Sequence, residues 1–510
     1  MNQSYQHLTS KRRWLITAAT MSAALMQVLD MTIVNVALPH MQGSLSATSD
    51  QITWVLTSYL VSSAIFMPLT GYFSDRLGTK KYLLFSISGF VIASMLCGMA
   101  NSIFGMVISR LLQGIFGAAL VPLSQAILID VFPVEERPKA MAIWGVGVMV
   151  GPILGPTLGG YLTEIASWRW NFYINLPIGI LSLLIAWYAL PNTPTRQRSM
   201  DWIGLLCITL AIGSLQYFLD RGNHADWFNS NEICLAAFLA VTGAIGFFIN
   251  SYYQKEKNVF NISIFKDRNF VIASLLMALF GIGMFGGMVI LPIMLENLLN
   301  YPVLIVGLIL APRGICGMIS MAIVSRLIKK TEPRILIIIG LILSTLGTYP
   351  CLYYNLDTDI QWLIWPLLLQ GLGMGFIFIP LSSVAFMSLP DNTRAEAAGL
   401  FSLIRTLGSS IGISIIITLF TRQTQIVWNE LGGFIQLYNS TISTYLNHLH
   451  LKIQDSASIP LLANEVGRQA QMVSIVDTFS FMTLSFLLMI PLVFLIKRQH
   501  TSTVNQLVLE

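Results

Sequence analysis

Charged side chains are scarce in this chain. Asp, Glu, Lys and Arg make up 10% of its 510 residues, against 55% hydrophobic residues and a mean hydropathy of +0.70. So little polar surface cannot coat a soluble globule, which excludes the ordinary soluble enzymes and binding domains. Cysteine is scarce too. The five present (Cys97, Cys207, Cys234, Cys316 and Cys351) lie in or at the ends of apolar runs. None has the paired spacing of a disulfide framework or a zinc site, so they are read as packing residues. The six histidines fall in loops or tails, apart from His40 at the mouth of the first apolar run, so no metal cluster is expected. No G-x-x-x-x-G-K-[ST] segment occurs, which argues against nucleotide-driven pumping. Gly408-Ser409-Ser410-Ile411-Gly412 fits G-x-S-x-G only formally, because it sits mid-helix without the strand-turn-helix context that exposes a nucleophile. No enzyme activity and no cofactor are expected. Nucleic acid is excluded as well. The formal net charge is +5, but the basic residues form short clusters between apolar runs rather than one continuous face.

What the chain has in abundance is apolar length. A spanning helix takes about 20 apolar residues. Stretches bounded by charges, proline and glycine predict helices near 14–38, 52–74, 82–100, 103–131, 139–162, 170–190, 201–220, 231–253, 269–296, 303–327, 334–354, 361–388, 396–420 and 477–496. Backbones in hydrocarbon must satisfy their own polar groups, and these runs are too long and too unalternating for barrel strands. The expected fold is therefore an all-α polytopic membrane protein of fourteen transmembrane helices. The first run, Trp14 to Leu38, exceeds a signal-peptide core and holds Asp30, so it is read as a retained helix. The polar segment 421–476, with helix-like stretches such as Gln423 to Leu431, is read either as a solvated loop or as a docking surface.

Lys and Arg set the orientation. With the amino terminus in the cytoplasm, one side gathers Lys11, Arg12 and Arg13, then Arg76, Lys80 and Lys81, then Arg137, Lys139, Arg196 and Arg198. The same side gathers Lys255, Lys257, Lys266 and Arg268, then Arg326, Lys329, Lys330, Arg334, Arg394, Lys497 and Arg498. The opposite side holds only Arg169, Arg221, Arg422, Lys452 and Arg468, while Arg110, Arg313 and Arg405 stay inside spans. So large a bias predicts that both termini are cytoplasmic.

Several motifs carry mechanism. The turn between the second and third helices reads Gly71-Tyr72-Phe73-Ser74-Asp75-Arg76-Leu77-Gly78-Thr79-Lys80-Lys81. It resembles the G-x-L-x-D-R-x-G-R-K signature of the major facilitator superfamily, with departures at Phe73 and Thr79. Gly71 and Gly78 allow close approach and a tight turn, Asp75 can accept from a facing helix N-terminus, and the basic residues meet anionic headgroups. In the fourth helix, Arg110-Leu111-Leu112-Gln113-Gly114-Ile115-Phe116-Gly117 is similar to the superfamily's R-x-x-Q-G element. The fifth helix carries Gly147, Gly151-Pro152, Gly155-Pro156 and Gly159-Gly160. Glycines recurring every four residues line one helical face for close packing, and the prolines soften the helix. That pattern resembles the motif of drug:proton antiporters, although a plain packing stripe would look the same. Leu29-Asp30-Met31-Thr32-Ile33-Val34-Asn35, Trp168 to Pro177, and Arg405 to Gly412 are similar to elements of the fourteen-helix exporters of the EmrB/QacA type.

Within that resemblance the buried charges acquire roles. An ionised group at the bilayer centre costs about 2.5–3.5 kcal/mol on insertion scales, so it should face the bundle interior and serve a purpose. Asp30 lies about 12 Å below the outer end of the first helix and Arg110 about 10 Å below that of the fourth, a similar depth. Asp30 is expected to exchange the proton and Arg110 to govern when it does so; a permanent pair that merely orders the bundle is the rival reading. Asp130 and Arg137 frame the inner end of the fourth helix and are expected to join Asp75 in a gate. Arg313 and Arg405 meet either an anionic group or backbone carbonyls. Met26, Met284, Met288 and Phe285 suit the wall of an adaptable cavity, or face lipid.

The resemblance implies a six-helix bundle over 1–195, two inserted helices over 196–260, and a second six-helix bundle over 261–510. The bundles would alternate access to a central cavity. It implies proton-coupled efflux of amphipathic small molecules across a bacterial inner membrane, with a periplasmic adaptor and an outer-membrane channel as partners. A dedicated exporter of one metabolite such as a siderophore, and a non-transporting membrane scaffold, are the rival readings.

Overall fold

A chain that crosses hydrocarbon must bond its own backbone N–H and C=O groups, and among the described residues every regular element is helical. The computed structural model describes residues 9–133, 136–196, 199–254, 261–390, 393–436, 439–448 and 458–497. Fourteen of its helices are long and apolar enough to span a membrane. They are α1 (Ser10–Ser44), α2 (Gln51–Leu77), α3 (Thr79–Met99), α4 (Ile103–Val131), α5 (Arg137–Ile165), α6 (Trp170–Ala189) and α7 (Trp202–Arg221), followed by α8 (Asn231–Tyr253), α9 (Arg268–Leu298), α10 (Ile305–Leu327), α11 (Pro333–Tyr353), α12 (Ile360–Met387), α13 (Arg394–Gly432) and α14 (Ser458–Val493). Polar side chains start several of them. Ser102 accepts from Gly105 N at 3.2 Å, Asp201 from Gly204 N at 2.9 Å and Asp267 from Phe270 N at 2.8 Å, each taking one of the N–H groups a helix start leaves free.

The same packing occurs twice. In the first six helices α1 lies on α5, α2 on α4, and α3 on α4 and α6. In the last six α9 lies on α13, α10 on α12, and α11 on α12 and α14. Helices α7 and α8 pack on each other, with α7 against α2 and α13, and α8 turns large apolar side chains such as Phe238, Phe248 and Tyr252 outward. The fold is two six-helix bundles with an inserted helix pair, as the sequence leads one to expect.

The bundles meet along α5 and α10, and α13 also crosses onto α2 and α4. Trp144 of α5 stacks on Phe378 of α12 with ring centres 5.7 Å apart. At the face that carries the basic clusters, Arg394 of α13 reaches Asp130 of α4 at 2.8 Å. A methyl added to Gly399 would stand 2.7 Å from Met67 O, and one on Gly71 would stand 2.7 Å from Glu396 Cα. These contacts seal the two halves together there.

The end of the chain differs from the sequence expectation. The spans expected over 396–420 and 477–496 continue as helices α13 and α14 well beyond their apolar cores, and a short helix, Ser440–His448, lies between them. Hydropathy marks where an apolar stretch stops, whereas the i→i−4 ladder carries on through polar residues that still favour helix. Segment 421–476 is therefore largely helical among its described residues; residues 437–438 and 449–457 lie outside them.

Candidate functional site: a caged carboxylate between α1 and α4

Asp30 sits on the inward stripe of α1 and Arg110 on that of α4, and both are completely buried. Arg110 Nη1 donates to Asp30 Oδ2 at 2.6 Å. The other carboxylate oxygen, Oδ1, accepts from Gln113 Nε2 at 2.8 Å and from Asn175 Nδ2 at 3.0 Å. Gln113 stands one turn after Arg110 on the same helical face, and its Oε1 takes a second bond from Arg110 Nη1 at 2.7 Å. Arg110 Nε donates to Val55 O of α2 at 3.0 Å, and the guanidinium carbon lies 4.3 Å from the centre of the Tyr59 ring. Asn175 is held in turn by Ser94 Oγ at 3.0 Å, which donates to Phe172 O at 2.8 Å. Helices α1, α2, α3, α4 and α6 thus all contribute to one cage.

Every hydrogen-bonding partner found on Asp30 is a donor, and one of them is a full cation. That set suits a charged carboxylate. The charges cancel, which makes the pair tolerable in hydrocarbon, while Arg110 Nη2 is buried without a partner.

The glycine-proline face of α5 bears on the same stretch of α1. A methyl on Gly151 would lie 2.8 Å from Val28 Cγ1 and 3.0 Å from Leu29 N, and one on Gly159 would lie 2.7 Å from Ile33 O. Gly155 abuts Thr32, and Gly147 abuts the end of Met21. Thr32 Oγ1 also donates to Gly151 O at 3.2 Å. Gly160, whose added methyl would be 3.7 Å from Val36 Cγ1, marks the edge of the stripe, and Pro152 and Pro156 lie inside the helix. The stripe is therefore packed against the two turns that flank Asp30.

The turn after α2 follows its sequence reading in part. Gly78 adopts φ +83°, a conformation that favours glycine. Thr79 N donates to Thr193 Oγ1 at 2.7 Å and Arg196 N donates to Asp75 O at 2.8 Å, so the turn is fastened to the segment that follows α6. Arg76 is exposed and donates to Tyr72 OH at 2.5 Å, and Lys80 is half-buried. Asp130, expected in a gate with Arg137, bridges the halves through Arg394, and Arg137 Nε donates to Ile129 O at 3.1 Å.

Among the described residues, neither Arg313 nor Arg405 is brought to a carboxylate. Arg313 Nη2 donates to Met284 O at 3.1 Å, and Arg405 is half-buried with no side-chain partner among the described residues. Met26 and Met284 are buried in the core, and Phe285 and Met288 are partly buried against it. Among the described residues no group of His, Cys, Asp or Glu could hold a metal.

Sequence reasoning did not assign roles to Gln113, Asn175 and Tyr59. The first two lie inside motifs it singled out, and the i, i+3 spacing of Arg110 and Gln113 was the available signal. Tyr59 carries no local signal, since only the packing of α2 on α4 shows it. Asp220 of α7 was also passed over; it bonds Thr57 of α2, next to Arg221 Nη1, which donates to Thr53 Oγ1 at 2.8 Å.

The family model described as Major Facilitator Superfamily matches residues 20–413. The fatty acid resistance protein FarB of Neisseria gonorrhoeae is 34% identical over 485 residues, covering 94% of this chain and 96% of that protein. The multidrug export protein EmrB of Escherichia coli (strain K12) is 34% identical over 503 residues, covering 97% of each chain. Among solved structures, that of the human organic anion transporter MFSD10 (TETRAN) covers 94% of this chain and 100% of its own at 16% identity with a TM-score of 0.60, a likeness of fold alone.

Proposed function

The chain belongs to the Major Facilitator Superfamily, and on that premise we propose that it is a proton-coupled exporter of amphipathic small molecules that works by alternating access. The observation that carries this reading is the carboxylate of Asp30, wholly buried yet held by hydrogen bonds contributed from α4 and α6 rather than by its own helix. A titratable group bound between moving parts can hold its proton in one arrangement and lose it in another. In the cycle we infer, the arrangement described above has Asp30 charged and the basic face closed. Parting of α1 from α4 then frees the carboxylate to take a proton, and the Gly147 to Gly159 stripe is the surface along which α1 shifts. Inward proton movement supplies about 2.3 kcal/mol per 100 mV with which to drive cargo outward.

The excess of Lys and Arg on the face that carries the termini supports an orientation with both ends in the cytoplasm of a bacterial inner membrane. The similarity to proteins named for multidrug export and fatty acid resistance supports small amphipathic cargo. We further propose that the helical extensions of α13 and α14 dock a periplasmic adaptor, itself joined to an outer-membrane channel, with the domain division at 195 and 260 as read from the sequence. Co-purification with an adaptor that survives deletion of 421–476 counts against that docking role.

Dye efflux from reconstituted vesicles tests the reading. Efflux should follow an imposed proton gradient, stop with an uncoupler, and be absent in Asp30→Asn. Cargo restricted to one metabolite would favour the dedicated exporter, and no flux with any compound the scaffold.

A further inference from the structure

Hydrogen bonds hold only part of the Arg110 guanidinium. Its Nη1 serves Asp30 and Gln113 and its Nε serves Val55 O, whereas Nη2 is buried with no partner. The guanidinium carbon lies over the Tyr59 ring, 4.3 Å from its centre, against 5.8 Å for Phe172. Tyr59 is buried and its own hydroxyl makes no hydrogen bond, so what this side chain brings to the cage is the face of its ring. Tyr59 stands one turn after Val55, so successive turns of one face of α2 hold the arginine. A methyl on Gly114 would stand 2.5 Å from Tyr59 O and against Ser62, and one on Gly117 would stand 3.1 Å from the Tyr59 hydroxyl. Helices α2 and α4 are thus locked together around Arg110, while Asp30 reaches it from α1.

The second half repeats the pattern with the ring left out. Leu111-Leu112-Gln113-Gly114 in α4 recurs as Leu368-Leu369-Gln370-Gly371 in α12. A methyl on Gly371 would stand against Arg313 O and 3.0 Å from Cys316 Cβ, so Arg313 of α10 takes the place of Tyr59. Helices α1 and α9 align on Leu38-Pro39 and Leu291-Pro292, and counting back equally from each proline gives Asp30 in one and Gly283 in the other. The tip of the Phe486 ring fills the side-chain place at Gly283, and Leu367 stands where the first half has Arg110. The half that lacks the ion pair therefore also lacks an aromatic ring at the position of Tyr59.

We infer that Tyr59 is a positioning residue for proton exchange: its ring keeps Arg110 on α2 and offsets the guanidinium charge while α1 has parted and Asp30 carries a proton. The inference rests on the reading of Asp30 as the group that exchanges the proton. A ring face attracts a cation and repels a carboxylate. With Asp30 charged and paired to Arg110 the two effects oppose each other. With Asp30 protonated only the attraction remains, and it is strongest for a cation shielded from water. The ring therefore favours the protonated arrangement. Among the described residues the other titratable group at the cage is Cys97 of α3, whose sulfur is 3.5 Å from Gln113 Oε1. The glycine stripe of α5 and Asn175 of α6 bring no charge.

Infrared difference spectra of the full-length protein in detergent, recorded across pH, read the protonated carboxyl directly, and the part of that band missing from Asp30→Asn belongs to Asp30. Tyr59→Phe, and the same position carrying mono-, di- or trifluorinated phenylalanine, keep the shape of the side chain while fluorine withdraws the negative face step by step. The pH at which the Asp30 band is half lost should stay at the parent value in Tyr59→Phe, which has no proton of its own to give. It should fall with each added fluorine, by about one pH unit over the series, and as far in Tyr59→Leu. A midpoint that ignores fluorination, or a Tyr59→Phe midpoint as low as that of Tyr59→Leu, would overturn the role of the ring. A carboxyl band identical in the parent and Asp30→Asn at every pH would instead overturn the reading of Asp30 itself.

Discussion

In the first half of the molecule Gln113 stands beside a carboxylate that an arginine already neutralises, whereas in the second half its counterpart Gln370 stands beside an arginine that no carboxylate of the described chain neutralises. The helices, their order and their packing partners correspond, so the difference is one of chemistry. A pair of cancelling charges can be opened and reclosed with a proton as the only change of charge. An arginine with no carboxylate of its own has nothing to titrate near neutral pH, since its guanidinium stays protonated. The comparison teaches that one architecture can host a paired buried charge and an unpaired one, and that the pairing of buried charges, more than their presence, separates the two halves.

The most severe test of this contrast is Arg110→Met. It strands Asp30 without its cation, and removing one partner of a buried pair costs about 3–5 kcal/mol. Chemical unfolding in detergent should show a loss of that size, and vesicles should lose uphill transport. Next in size are the two small-residue crossings. Gly155→Leu drives a side chain into Thr32, and Gly412→Leu drives one into Ile282. Overpacking of either kind costs about 1–3 kcal/mol. Only Gly155→Leu should also cut the protons moved per cargo molecule, because only that crossing presses on the helix of Asp30. Equal loss of coupling in both variants would break the comparison.

Smaller still is the effect expected of Arg394→Gln. The variant removes the bridge to Asp130 that ties the halves at the basic face, a partly buried contact expected to contribute about 1 kcal/mol. Cysteine labelling from the face that carries the basic clusters should rise around Met67 and Gly399, with stability little changed. Arg313→Met should have the least effect of the set, under about 1 kcal/mol, because it breaks no ion pair within the described chain. Efflux in vesicles should stay within a few-fold of the parent protein. Damage equal to that of Arg110→Met would mean that Arg313 has a protein partner in another arrangement of the bundle.

How much of this was legible in the amino-acid sequence depended on range. The fourteen spans were legible because hydrophobicity over a span's length is a local property, and the Asp30 and Arg110 pair because a charge inside such a run is costly enough to mark itself. The ends of α13 and α14 were misjudged because polarity ends an apolar stretch without ending a helix. The partners of Asp30 were legible only as motif members. Their convergence depends on α4 and α6 both reaching α1, which no single stretch of sequence records. The bridge from Asp130 to Arg394 was missed for the same reason, since its two residues are far apart in the chain and meet only when the bundles close. The counterpart of the cage in the second half was visible in part, as the repeated Leu-Leu-Gln-Gly, yet what marks it is a glycine where a carboxylate would be, and its meaning depends on the Phe486 ring that fills that place.

The account rests on Asp30 giving up and regaining a hydrogen ion as the halves rearrange, and the most direct measurement is proton release on mixing cargo with the purified protein in weakly buffered solution. The parent protein should release protons in proportion to bound cargo, and Asp30→Asn should bind cargo while releasing none. Release of equal size from Asp30→Asn would contradict the account.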